Sequence, residues 1–278
     1  MFYLYLVLSA ALIPILNNFF EILRQPYSWW LVPVLFIAFF LGFVILHLIV
    51  TCIWIATANV NKPPRGTKAF RVLANITIPL LLKLARVSVK TEGAEKIPEG
   101  ARMLFVCNHQ HDLDPVMLLS AFPSAELGFI GKKDIYKDMP FIAKAMHRLY
   151  CLPIDRENDR EALKAILKAI QFLKEDKCSI VVFPEGGTNR TEEDLLPFRN
   201  GAFKVAQKAH VPIVICALVN SKAILKNMFR RHTDVYLDVL DVIPPEQFAE
   251  QRTVEVGDRA HRILLEGLRK RKAALAAQ

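Results

Sequence analysis

The chain has 278 residues, 53% of them hydrophobic, a formal net charge of +9 and a positive mean hydropathy of +0.27. A charged fraction of 23% excludes an intrinsically disordered chain. The apolar excess lies at one end: residues 1–58 carry only Glu21 and Arg24 as charges, and no later stretch stays uncharged long enough to cross a bilayer, which excludes a multispan transporter.

Met1 to Phe20 is uncharged and about long enough to span, although Pro14, Asn17 and Asn18 interrupt it. Trp29 to Val60 has no formal charge and only His47 as a strong polar group. Tyr27, Trp29 and Trp30 mark one end as interfacial aromatics do, and Lys62, Arg65, Lys68 and Arg71 form a positive flank at the other. A signal peptide fits poorly, because a basic leading region is missing. These features predict a membrane anchor over 1–60 of one or two transmembrane helices, most simply a hairpin of two spans, followed by a basic domain over 61–278 on the cytoplasmic side of the cell membrane. Phe70–Leu84 reads as a pair of amphipathic helices, within about 66–86, broken at Pro79. Its basic neighbours suit an anionic membrane surface, and a packed core helix is the alternative.

Short apolar runs then alternate with helical patterns. Val87–Lys90, Met103–Cys107, Leu149–Ile154, Ser179–Phe183, Pro212–Leu218 and Asp234–Val242 are predicted strands. Arg160–Lys174 is a predicted helix, since Leu163, Ile166, Leu167, Ile170 and Leu173 share one face. Phe198–His210 and Val254–Lys272 are further helices, and the basic run Arg269–Lys272 reads as a solvated helix end. The alternation predicts an α/β fold, a mostly parallel sheet flanked by helices. Five scattered cysteines without a CxxC pair read as buried thiols, not as a disulfide frame or zinc site.

Two predicted strands end in chemistry-bearing sequences, where sites of open α/β sheets gather. The first runs into Asn108-His109-Gln110-His111-Asp112-Leu113-Asp114-Pro115. Asp114 reads as a helix N-cap with Pro115 in the first turn, a placement that lets its carboxylate hold one nitrogen of His109 and leaves the other as a general base. The second opens into Glu185-Gly186-Gly187-Thr188-Asn189-Arg190, where glycines permit close backbone approach and an arginine matches a phosphate. Lys132 and Arg156 add two cationic stations between them.

In this order the four blocks resemble the glycerophospholipid acyltransferase family, and most closely its 1-acylglycerol-3-phosphate acyltransferases, over about residues 87–220. Asn108-His109 through Asp114 looks like the NHx4D block. Lys132, Pro140 and Arg156 resemble the second block, Phe183-Pro184-Glu185-Gly186 the third, and Val211-Pro212-Ile213-Val214 the fourth. Three positions depart from the family: His111 in place of Ser or Thr, Cys216 in place of a proline, and Thr188 at the usual arginine position, with Arg190 two residues on. The resemblance implies acyl transfer from an acyl-CoA or acyl carrier protein thioester to the hydroxyl of a membrane lipid acceptor. It implies His109 and Asp114 as the catalytic pair, and Lys132, Arg156, Glu185, Gly186, Gly187, Thr188 and Arg190 as the substrate-binding set. No metal, bound cofactor or nucleic acid is expected. Glycerol phosphate or another lysophospholipid is the alternative acceptor. A metal-dependent hydrolase using His109, His111, Asp112 and Asp114 is the competing chemistry, although Leu113 and Asp114 break the HxHxDH pattern.

Overall fold

A computed structural model describes residues 2–20, 30–155, 158–228 and 230–277. The chain divides into two compact units, residues 1–57 and 58–278. The first holds α1 (Phe2–Phe20) and α2 (Leu31–Ala56), which pack against each other, with the Tyr5 and Phe43 rings 6.2 Å apart. At 26 residues α2 is about 39 Å long, and it is long and apolar enough to cross a membrane. Among the described residues it is the one helix that meets that test; α1 contributes a shorter apolar stretch, Tyr3–Asn18.

The second unit begins with α3 (Lys68–Leu84), capped by the Thr67 hydroxyl on Phe70 N–H. It is a single helix that runs through Pro79, not the broken pair that the proline suggests. Phe70, Ala74, Thr77 and Leu82 are buried along it, and that packing outweighs a proline cost of about 3 kcal/mol. Then come β1 (Val87–Glu92), β2 (Leu104–Cys107), α4 (Asp114–Ala121), β3 (Leu127–Lys132), α5 (Asp134–Asp138), α6 (Pro140–Arg148), β4 (Leu152–Ile154), α7 (Asp159–Lys174), β5 (Ser179–Val182), α8 (Lys204–Ala209), β6 (Ile213–Val219), α9 (Ala223–Asn227), β7 (Thr233–Ile243) and α10 (Thr253–Ala276).

The strands form one sheet in the order β1-β7-β6-β2-β5-β3-β4, with every pairing parallel except β6 with β7. Strand β3 escapes the sequence pattern because Gly128 and Gly131 thin its apolar signal. The predicted helix Phe198–His210 is a 3-10 turn, Asn200–Phe203, followed by the short α8. Strand β2 is fully buried because both faces are covered. On one face α3 and α4 pack, with Phe105 and Phe122 rings 5.4 Å apart. On the other, Leu104, Val106, Ile180, Val182, Ile213 and Ile215 share a core with Phe172 of α7 and Leu264 of α10.

In the basic run near the C-terminus Arg269, Lys270 and Lys272 are exposed to solvent as read from the sequence, while Arg271 is largely covered. Arg271 grips Asp238 with two bonds of 2.6 and 2.7 Å and also meets Glu92, while Arg269 and Lys272 both reach Asp194. Cys107, Cys151, Cys178 and Cys216 are free and buried in this unit; Cys52 is exposed on α2. Burial pushes Cys151 and Cys178 up to about 12, and Cys107 well above its ordinary value.

Candidate active site

Strand β2 ends at Cys107, and Asn108 anchors the loop beyond it. Its side-chain amide donates to Leu218 C=O at 2.8 Å and accepts from Leu218 N–H at 2.7 Å, which locks the start of the loop to β6. Asn108→Ala leaves both Leu218 groups buried and unpaired. A loss of about 1–3 kcal/mol for each group is expected, read as a lower thermal midpoint with the sheet otherwise retained.

His109 comes next. Its Nδ1 is 2.9 Å from Asp114 Oδ2, and the same oxygen accepts from Gln110 N–H at 2.6 Å and His111 N–H at 2.8 Å. Asp114 is therefore not the N-cap that its sequence suggests. It is the first residue of α4, and its carboxylate turns back on the preceding loop instead of capping its own helix. The reason is local: three donors in the turn 109–111 converge on one oxygen, and the side chain is wholly buried beneath them. This arrangement fixes the imidazole with Nδ1–H on Asp114, so Nε2 carries the lone pair.

The second loop meets the first from β5, the strand beside β2. The His109 ring stacks on Phe183, centroids 4.2 Å apart. Glu185 is buried, and its two oxygens accept from His109 N–H at 2.7 Å and Leu196 N–H at 2.9 Å. Burial raises its carboxyl above the ordinary value, and those two N–H groups partly offset the rise. Gly186 takes φ +80°, and a Cβ there would come within 2.6 Å of Arg199 Nε, so the loop needs glycine at this point. Asn189 N–H donates to His109 C=O at 2.6 Å, and its side chain folds over Thr191 and Glu193 to close the turn.

The Thr188 hydroxyl donates to Asp112 Oδ1 at 3.0 Å and lies 3.4 Å from His109 Nε2. With its one proton committed to Asp112, it offers His109 only an oxygen. A neutral ring keeps its Nε2 lone pair for another donor, and a protonated ring finds an acceptor ready.

The fold thus brings together His109, Asp114, Glu185, Gly186 and Thr188, with Gly187 inside the same turn. Lys132 lies at the exposed end of β3, two strands from β2, and pairs with Asp134. Arg190 is exposed beyond Asn189. Arg156 falls outside the described residues. The guanidinium of Arg199 lies against Gly186, and its backbone N–H donates to Pro184 C=O at 2.8 Å. No motif pointed to Arg199, because the chain folds back through the loop 190–199 to place it there. Asn189 was equally silent, its signal being only adjacency to the third block, and Phe183 stands inside that block without a role read for its ring. His111 Nδ1 accepts Leu113 N–H at 3.1 Å, and among the described residues no three His, Cys, Asp or Glu side chains group as a metal site.

The sequence model of the family described as Acyltransferase matches residues 88–219, the segment that holds both loops. A Mycoplasma genitalium protein named "Probable 1-acyl-sn-glycerol-3-phosphate acyltransferase" is 32% identical over 68% of this chain and 68% of its own length. The Escherichia coli 1-acyl-sn-glycerol-3-phosphate acyltransferase is 30% identical over 58% of this chain and 64% of its own. A Mycoplasma pneumoniae relative, 34% identical, is matched over 59% of its length, so the chain spans about three fifths to two thirds of these curated relatives. The crystal structure of the 1-acyl-sn-glycerophosphate acyltransferase PlsC from Thermotoga maritima shares the fold, with a TM-score of 0.60 and 22% identity over 74% of this chain and 81% of that one. Breadth and identity of the match to the Mycoplasma genitalium protein establish the lineage, and the chain belongs to the acyltransferase family.

Proposed function

We propose that this protein transfers an acyl group from a thioester of CoA or acyl carrier protein to the free hydroxyl of 1-acylglycerol 3-phosphate, forming phosphatidic acid for phospholipid synthesis. The observation that carries this reading is His109, held through Nδ1 by buried Asp114, with Nε2 turned to the Thr188 hydroxyl oxygen 3.4 Å away. Nε2 removes the proton from the acceptor hydroxyl as its oxygen attacks the thioester carbonyl. The imidazolium so formed is stabilised by Asp114 on one side and accepted by Thr188 on the other. Collapse of the tetrahedral adduct breaks the carbon–sulfur bond, and the leaving thiolate takes the proton back from Nε2. Glu185 does not reach the reacting atoms; it holds the His109 backbone. The apolar α2, with the basic residues that follow it, attaches the enzyme to the membrane that supplies its acceptor, with the catalytic unit on the cytoplasmic face.

Lys132, Arg156 and Arg190 are assigned to the acceptor phosphate, with Gly186 and Gly187 letting it approach the loop. Arg199 is a second guanidinium on the same loop, and the two arginines separate by experiment. Arg190→Ala is expected to raise KM for lysophosphatidate by about 10- to 150-fold, the effect of one lost charge-assisted contact, with KM for acyl-CoA unchanged. If Arg199→Ala produces that rise and Arg190→Ala does not, the phosphate lies against Gly186 instead.

The direct test is turnover by full-length protein in detergent. Labelled acyl-CoA is supplied with lysophosphatidate, glycerol 3-phosphate or lysophosphatidylcholine in turn, and products are read by mass spectrometry. Phosphatidic acid from lysophosphatidate alone supports the assignment; a product from one of the other acceptors replaces it.

A further inference from the structure

The reaction proposed above joins two substrates that both carry phosphate, and the assigned cations account for one of them. Lys132 ends β3 and Arg190 follows β5, both strands on one side of β2. A second basic concavity lies on the other side. A cleft of about 620 Å³ opens between α3, the end of α4 and β1, lined by Lys83, Arg86, Ser88, Thr91, Ser120 and His232 among others.

Its position follows from the sheet. Thr91 pairs with Leu237, Leu237 with Leu218, and Leu218 is the residue that Asn108 grips at the end of β2. Thr91 therefore sits level with the catalytic end of β2, three strand spacings away, or about 14 Å. Helix α4 gives the same scale by another path. From Asp114, which holds His109, to Ser120 in the cleft is about 9 Å along the helix, and Val116 and Ser120 lie one turn apart on its partly exposed side. Arg86 and His232 stand just before β1 and β7, past the level at which β2 ends.

The charge there is one-sided. Lys83, Arg86 and His232 face the cleft, Arg230 and Arg231 precede His232, and Arg86 is exposed. Asp234 is the carboxylate at the rim, 3.1 Å from His232 and 3.8 Å from Lys90. Ser88, Thr91 and Ser120 add hydroxyl donors.

We propose that this cleft binds the phosphate end of the pantetheine arm of the acyl donor. The inference rests on the acyl-transfer reading. From sulfur to phosphorus that arm is about thirteen bonds, the length of about four extended residues, or ~15 Å. An arm of that length leaving His109 Nε2 spans the distance to Thr91 and Ser120 in the cleft, where the long side chains of Arg86 and Lys83 and the His232 ring supply the charge. The two anionic substrates enter on opposite sides of β2, where their charges do not repel each other at close range. CoA and acyl carrier protein share this phosphate, so the cleft serves the chemistry common to both.

The test uses full-length protein in detergent with the double variant Lys83→Glu, Arg86→Glu. KM for acyl-CoA, acyl carrier protein thioester or both is expected to rise at least about tenfold, while KM for lysophosphatidate stays within about twofold. The carrier that responds identifies the source of the phosphate. Turnover of an acyl N-acetylcysteamine thioester, which has no phosphate, is expected to match that of wild type. A fall with this short donor as well, or an unchanged KM for both carriers, overturns the proposal. So does a loss of affinity for anionic vesicles with donor KM intact, which would give the cleft to the membrane surface. A second readout needs no turnover: CoA binding to His109→Ala protein by calorimetry is expected to persist, and to be lost when Lys83→Glu and Arg86→Glu are added. That measurement stands even if His109 is not the base, so failure of the cleft and failure of the mechanism are told apart.

Discussion

His109→Ala is expected to lower acyl transfer by about 10²- to 10⁴-fold with the thermal midpoint nearly unchanged, since the proposed mechanism makes the ring the general base and its removal leaves positioning intact. Asp114→Asn keeps the shape of the side chain, but it puts an amide where an anion now faces Nδ1 and two backbone N–H groups. A comparable loss is expected from it. The double variant should be little worse than either single one, because the pair acts as a unit. Single-turnover measurements on purified protein check this. Near-wild-type transfer by His109→Ala would end the proposed mechanism, and additive losses would break the coupling between the two residues.

Glu185→Ala is expected to damage both stability and rate, although the carboxylate touches no reacting atom. It strips the acceptor from His109 N–H and Leu196 N–H at once. With unmade buried bonds at about 1–3 kcal/mol each, the domain should lose about 2–6 kcal/mol. Turnover should fall too, as the His109 backbone loosens. Glu185→Gln separates charge from shape. Because burial raises the folded carboxyl above its ordinary 4.5, the wild-type protein is favoured below that pH and loses this contribution as pH rises through the shifted value. The glutamine variant has no such loss. Its thermal midpoint relative to wild type should therefore improve as pH rises across that window. A gap that does not change with pH would show that Glu185 titrates as it does in the unfolded chain.

Where residues act through periodicity, the sequence revealed them. Ile166, Ile170 and Leu173 announce α7, although Leu163 and Leu167, read on the same face, are exposed, and the apolar runs of β2 and β5 announce strands covered on both faces. His109 and Asp114 were legible because five residues is one tight turn, short enough for neighbours in sequence to be neighbours in space. Pro79 misled because a local cost was read without the packing that outweighs it. Asp114 misled in detail because Asp before Pro has two readings, forward onto its own helix or back onto the preceding turn. Only the three converging donors decide between them. Arg199 was invisible for the opposite reason: its place beside Gly186 depends on a loop path that no local pattern encodes.

The four buried thiols give the sheet domain a quiet reporter of its own opening. A thiol pushed up to about 12, as Cys151 and Cys178 are, exposes only on the order of one thiolate in 10⁴ at pH 8, and it is shielded from reagents as well. Alkylation in native buffer should therefore leave these four untouched, and each adduct on them should record an excursion in which the strands part. The spacing of those adducts in time measures how often the sheet domain breathes, in unmutated protein.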